Sequence, residues 1–327
     1  MITYDEAFLK GMSYYDKMFI FDRPVWKGKR YFVDRIKSFF YDLFYKMLLR
    51  LFPVKDKDNI YNLSLCSIFK NEAPFLVEWL EYHLLIGVDH FYLYNNNSTD
   101  EFKLKLAPYI DKGIVTLVDW PDNPGQLSSY KHWYQNYRHD TKWVSFLDLD
   151  EFICPRYNNK VTSWLKKFEK YPVVMVYWKM FGTSGKMEHD FKRLTIEQYV
   201  NSWERHSNIG KLFYNTKYDI DYFHLGMMHS INVRIKKWSL PPVNQYGYFV
   251  KYGIHRAKCN NIEIQINHYW SKAYRAYEAK HARGDAAFGV SPRNYEYFLW
   301  HEQRNNSIDL SIYRFLIQLK QKLESLK

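Results

Sequence analysis

Short apolar runs alternate with amphipathic stretches along the middle of the chain. Leu63-Ser64-Leu65-Cys66-Ser67-Ile68-Phe69 is too short for a helix and too apolar for a solvent-facing strand, so it predicts a buried strand. Pro74 then opens a helical pattern through Phe75, Leu76, Trp79, Leu80, His83, Leu84 and Leu85, with Gly87 as its stop. A second strand, His90-Phe91-Tyr92-Leu93-Tyr94, runs into the polar cluster 95–100, which reads as a loop with Ser98 or Asp100 capping the next helix. Ile114-Val115-Thr116-Leu117-Val118 and Trp143-Val144-Ser145-Phe146-Leu147 supply a third and a fourth strand. Strand, helix, strand, repeated, predicts an α/β fold: a mainly parallel sheet flanked by helices that binds a nucleotide.

The two ends differ from this middle. Residues 1–60 form a basic and aromatic extension in which Phe39, Phe40, Leu43, Phe44, Met47, Leu48, Leu51 and Phe52 recur at helical spacing. Arg35, Lys37, Asp42, Lys46 and Arg50 interrupt them, too often for a membrane-spanning helix but compatible with one lying on an anionic membrane or packing on the next domain. The first residues lack a basic, then apolar, leader, which predicts no secretory signal. Pro53 and Lys55-Asp56-Lys57-Asp58 mark a boundary, a catalytic domain is expected over 61–290, and 291–327 reads as an amphipathic helical tail.

The fourth strand carries the candidate chemistry. It ends in Asp148-Leu149-Asp150-Glu151, and in a continuing strand Asp148 and Asp150 share a face. Two carboxylates side by side resist burial unless a cation lies between them. A hard divalent ion with oxygen ligands, Mn2+ or Mg2+, meets that need and also holds a diphosphate. The same acids can equally cap a strand and face water.

Composition narrows the partner. The net charge of +12 favours an anionic one, and the basic residues are dispersed, with no nucleic-acid module in the sequence. Aromatic residues make up 20% of the chain, which suits sugar-stacking clefts but also interfaces. Cys66, Cys154 and Cys259 form neither a disulfide framework nor a zinc pattern, pointing to a reducing compartment.

Taken in order, Lys70-Asn71-Glu72, Glu78-Trp79-Leu80-x-Tyr82-His83, Gly87, the 95–100 cluster and Asp148-Leu149-Asp150-Glu151-Phe152 resemble the nucleotide half of glycosyltransferase family 92. Trp178-x-x-Phe181-Gly182-x-x-Gly185 resembles its acceptor-side turn, and Asn267-His268-Tyr269-x-Ser271-Lys272 with Arg283-Gly284-Asp285 its C-terminal signature. The resemblance implies a GT-A-like nucleotide-sugar-binding fold and a metal-dependent, inverting hexosyltransferase, with galactose a candidate sugar, that uses a UDP-sugar donor and a glycan acceptor. Asp150, with Asp148, would hold the metal, helped by His268 or by its rival His229. Lys70, Asn71, Glu72, Asn95, Asp100 and Asp148 would meet base and ribose, and Lys272, Arg275 and Arg283 the diphosphate. Glu188, Asp190 or Asp285 would act as base, and Trp178, Phe181 and Trp270 would floor the acceptor site. Without a clear spanning anchor, the chain departs from membrane-anchored members and fits a bacterial or viral enzyme in the cytoplasm, peripheral to the membrane. A non-catalytic sugar binder on the same fold and a basic protein without chemistry are the alternatives.

Overall fold

The computed structural model describes residues 28–207, 209–223, 229–250, 262–284 and 295–326. Four parallel strands, β1 (Tyr61–Phe69), β2 (His90–Asn95), β3 (Val115–Asp119) and β4 (Thr141–Phe146), lie in the order β3-β2-β1-β4. Helices α2 (Ala73–Leu85), α3 (Phe102–Asp111) and α4 (Gln126–Asn136) connect them. α2 starts with Pro74 in its first turn and stops at Gly87, whose φ of +97° is open to glycine at no steric cost. All four strands therefore deliver their carboxyl ends to one edge, where open α/β sheets bind ligands.

Beyond β4 antiparallel strands enter, while parallel pairings remain the majority in the sheet. It continues through β8 (Gly210–Asn215), β6 (Val173–Met180), β13 (Ile264–His268) and β5 (Glu151–Pro155). β8 runs antiparallel to both β4 and β6, β13 is parallel to β6, and β5 is antiparallel to β13. Because β5 follows β4 directly in sequence yet lies four strand positions away, the sheet has to curl. The chain from Phe146 to Glu151 reaches about 18 Å at most, whereas four spacings in a flat sheet span about 19 Å.

As an edge strand, β5 has backbone groups that β13 cannot satisfy. α2 supplies their partners: Trp79 Nε1 donates to Glu151 O (2.9 Å), Tyr82 Oη donates to Ile153 O (2.8 Å), and His83 Nε2 accepts from Ile153 N (3.3 Å). Burial lowers the His83 pKa to about 3, so the ring is neutral and Nε2 is free to accept. Glu78, on the same helix, accepts from Thr195 N and Ile196 N. The Glu78 to His83 stretch is thus scaffolding that fixes where β5 begins.

The ends are joined to this body. Helix α1 (Gly28–Leu51) packs through Tyr45 on Phe249 (5.0 Å between ring centres) and through Asp42, which accepts from Phe249 N (2.9 Å). The tail is not one long helix. Tyr295–Glu302 is α-helical, Ser307–Ile308 pairs with Asn201–Ser202, a 3-10 turn spans Ser311–Phe315, and Leu316–Glu324 is α-helical again. Asp309 breaks the apolar period by accepting from Ser311 N, and Phe315 packs edge-on against Tyr82.

Candidate functional site

β4 ends at Phe146, so Asp148 and Asp150 sit in the turn leading to β5 and not on one face of a strand. The turn closes on itself: Asp148 N donates to Glu151 Oε2 (3.0 Å), and Asp150 O accepts from Tyr269 N (2.8 Å). As a result the two aspartates face different partners. Asp148 Oδ2 accepts from Lys211 Nζ (2.8 Å) and Oδ1 from Gln126 Nε2 (3.3 Å). Asp150 Oδ1 faces His268 Nε2 at 3.6 Å, and its other oxygen meets Lys280 Nζ.

Lys211 is 1% exposed and also lies 3.2 Å from Glu151 Oε2, so one buried ammonium bridges two carboxyl groups. Burial alone would raise the Asp148 pKa, but the Lys211 ammonium overrides it and leaves the carboxyl below its ordinary value. Burial is likewise overcome at Asp150, where the Lys280 ammonium, with Lys272 behind it, holds the carboxyl well below the usual range. Glu151 goes the other way: full burial and the neighbouring aspartates push it up to about 8 despite Lys211. The environment therefore separates three adjacent acids, with Asp150 firmly ionised.

Both candidate histidines flank Trp178 of β6, with ring centres 4.7 Å away for His268 and 4.8 Å for His229. Burial lowers both pKa values, that of His229 to about 4, so both rings are neutral near pH 7. Only His268 faces an aspartate; His229 Nδ1 lies 2.9 Å from Gly210 O. The buried His268 Nδ1 has no hydrogen-bond partner, and neither has Glu151 Oε1, 3.9 Å away. Among the described residues no cluster of three or more His, Cys, Asp or Glu is arranged to hold a metal ion. An ionised Asp150 opposite a neutral His268, separated by more than a hydrogen bond and both buried, nonetheless offers two suitable donors.

Most residues expected to meet the donor lie at the ends of β1 and β2. Asn71, at φ +54°, takes Thr99 N on its Oδ1 (2.8 Å), and Asn71 N donates to Ser98 Oγ (3.0 Å). Asp100 accepts from Ala73 N (2.8 Å), so Ser98 and Asp100 tie the neighbouring loop and α2, not the helix that follows them. Parallel pairing of β1 with β2 places these two loops side by side, which is why the cap is made across them. Asn95 donates to Asp119 Oδ1 (2.8 Å) and accepts from Ser98 N (2.9 Å). Lys70 extends the end of β1, and Lys272 pairs with Glu72 (3.3 Å) over the Phe75 ring.

On the expected acceptor side, Phe181 is 0% exposed against Tyr269, and Trp270 is buried with its Nε1 donating to His301 Nδ1 (2.6 Å). Both rings are core, and so is Trp178, 9% exposed and packed between His268 and His229. The glycine turn is also closed on one side. A Cβ at Gly182 would lie 1.8 Å from Asn305 Nδ2, and Thr183 Oγ1 donates to Glu302 (2.5 Å). Glu188 is exposed and 3.7 Å from Arg275, whose guanidinium is engaged by Glu278 (2.7 Å). Asp190 caps its own turn by accepting from Lys192 N (2.9 Å). Asp285 and the Arg283 side chain lie outside the described residues.

Sequence reasoning missed Lys211 and Lys280. Lys211 carried a weak signal, a single lysine inside the apolar strand Gly210-Lys211-Leu212-Phe213-Tyr214; Lys280 is one of several basic residues on helix α7 (Tyr274–Arg283).

The family model for glycosyltransferase family 92 matches residues 61–280. A family 92 protein of Oryza sativa subsp. japonica is 30% identical over 46% of this chain and 26% of its own length. The galactan beta-1,4-galactosyltransferase GALS3 of Arabidopsis thaliana is 30% identical over 37% and 27%. The chain thus spans about a quarter of the length of these curated relatives. Among solved structures, S. aureus TarS superposes over 47% of each chain at 15% identity and a TM-score of 0.31, too loose a likeness to carry an argument. The match over 61–280 takes in the whole acidic turn, His268 and Lys280, and the chain belongs to glycosyltransferase family 92.

Proposed function

We propose that this chain is a metal-dependent, inverting hexosyltransferase that moves a sugar from a UDP-sugar to a glycan hydroxyl. The observation carrying the reading is Asp150: an ionised carboxylate at the carboxyl edge of the sheet, facing neutral His268 and met by Lys280. Asp150 and His268 would hold Mn2+ or Mg2+, with Asp148 kept close by Lys211 and Gln126. What such a cation supplies when bound is positive charge against the departing diphosphate.

The chain's own groups do the rest. Lys280 and Lys272 offer ammonium groups to the diphosphate, Lys280 exchanging its contact with Asp150 for one with phosphate oxygen. Asn71, Glu72, Asn95 and Asp100 orient base and ribose. The acceptor oxygen forms a bond to the anomeric carbon as the bond to the diphosphate oxygen breaks, and the electron pair leaves with the diphosphate. A single displacement of this kind inverts the centre. The acceptor proton passes to a carboxylate of the 182–190 loop or to Asp285. Glu188 is our first assignment, because Asp190 is spent on its own turn. Trp178, packed on the His268 ring, is the aromatic we assign to the acceptor. Relatives named as galactosyltransferases make galactose the first sugar to test.

Binding to the folded state raises its stability. UDP-galactose with Mn2+ should therefore raise the melting temperature more than either alone, and release of UDP should follow when a glycan acceptor is added. A panel of nucleotide sugars that leaves the melting temperature unmoved, with and without metal, would contradict the proposal.

A further inference from the structure

We infer that the outer face of α1 and the tip of a separate hairpin together form a docking surface for an anionic lipid bilayer. On α1, Phe32, Ile36, Phe39, Phe40, Leu43 and Met47 fall within an arc of about 100° at 3.6 residues per turn. Each is between 44% and 66% exposed, so this apolar stripe points away from the core. The helix packs inward on its opposite side, through Ser38, Asp42, Tyr45 and Leu48. That arrangement inverts the usual one for a globular surface helix, whose apolar stripe faces in. Exposed apolar faces of this extent mark interaction sites.

A second element extends the surface. Strands β10 (Val233–Ile235) and β11 (Trp238–Leu240) form a hairpin whose tip carries Lys236, Lys237 and Trp238, all exposed. The tip is seated at the end of α1: the Trp238 ring meets Phe44 edge-on at 4.8 Å, and Lys236 Nζ lies 5.6 Å from the Phe52 ring centre. Segments about 190 residues apart in sequence thus present one aromatic and basic surface.

Charge selects the occupant. Lys29, Arg35, Lys37 and Arg50 are exposed along α1, and among its described side chains the only acid, Asp42, is buried. A second copy docking by two-fold symmetry would bring this basic rim against itself, which like-charge repulsion opposes. An acidic bilayer matches both parts, taking the apolar arc at the headgroup boundary and the lysines at the phosphates. Among the described residues no helix is long and apolar enough to cross a membrane, so the contact is lateral.

The test mixes the full chain with vesicles of phosphatidylcholine, with or without about 30% phosphatidylserine to supply surface charge, and measures co-sedimentation. Binding is expected only with the anionic lipid and should weaken as salt shortens the screening length. Two paired variants, Phe40→Glu/Leu43→Glu and Lys236→Gln/Lys237→Gln, should each lower partitioning on the order of tenfold or more while leaving the melting temperature unchanged. Equal binding to both vesicle types, or none to either, overturns the proposal. So does wild-type partitioning by the hairpin variant, or a dimer in solution that Phe40→Glu/Leu43→Glu dissolves. No donor is needed, so failure here leaves the transferase reading untouched.

Discussion

Replacing Lys211 by Met keeps the stem and removes the buried charge on which the acidic turn rests. The ammonium is 1% exposed and contacts Asp148 at 2.8 Å and Glu151 at 3.2 Å. Breaking a buried pair by deleting one partner costs about 3–5 kcal/mol, because the surviving charge is left without compensation. Two features move the expected loss to the lower end. Asp148 has a side chain 35% exposed, so water screens part of its charge, and Glu151 already tends to hold a proton. We expect Lys211→Met to lose about 3 kcal/mol at pH 7.5, a fall of about 1 M in urea midpoint if the slope is about 3 kcal/mol/M. Tryptophan fluorescence under chelation reports it. Adding Glu151→Gln to the variant should recover at least about 1 kcal/mol, since the pair shares one partner. A Lys211→Met midpoint within a few tenths molar of wild type, or no recovery in the double variant, would refute the bridging role.

Two further outcomes follow from the same turn. The Glu151 carboxyl is raised from 4.5 to about 8, so between those pH values the folded chain keeps a proton that the unfolded chain has released, and stability falls as pH rises. Glu151→Gln should flatten that part of a metal-free stability profile by at least about 1 kcal/mol, and an unchanged slope would count against it. His268→Ala should raise the metal concentration needed for half-maximal transfer about tenfold or more, with His229→Ala closer to wild type. A metal titration in which only His229→Ala shifts reverses the assignment.

The first four strands and α2 were legible because each is a short apolar or periodic run bounded by Pro, Gly or charged and polar residues. The antiparallel half was not, since β8 and β13 owe their places to long-range pairing. Gly210 illustrates why: a Cβ there would lie 1.9 Å from Val176 O, a constraint visible only once β6 and β8 are paired. The acidic turn was legible as chemistry but not as geometry. Its split into Asp148 on Lys211 and Asp150 on His268 and Lys280 depends on two strands and a helix 60 to 130 residues away. Phe181 and Trp270 read as acceptor aromatics because sequence does not separate an exposed ring from one buried by Tyr269 or by the C-terminal helices.

The central claim is that Asp150 couples a divalent cation to the donor diphosphate. Calorimetric titration of UDP into wild type and Asp150→Asn, with Mn2+ and with chelator, tests it most directly. Mn2+ should tighten UDP binding to the wild type, and Asp150→Asn should lose this gain by about tenfold or more while keeping its metal-free affinity. An Asp150→Asn protein whose UDP affinity responds to Mn2+ as the wild type does would contradict it.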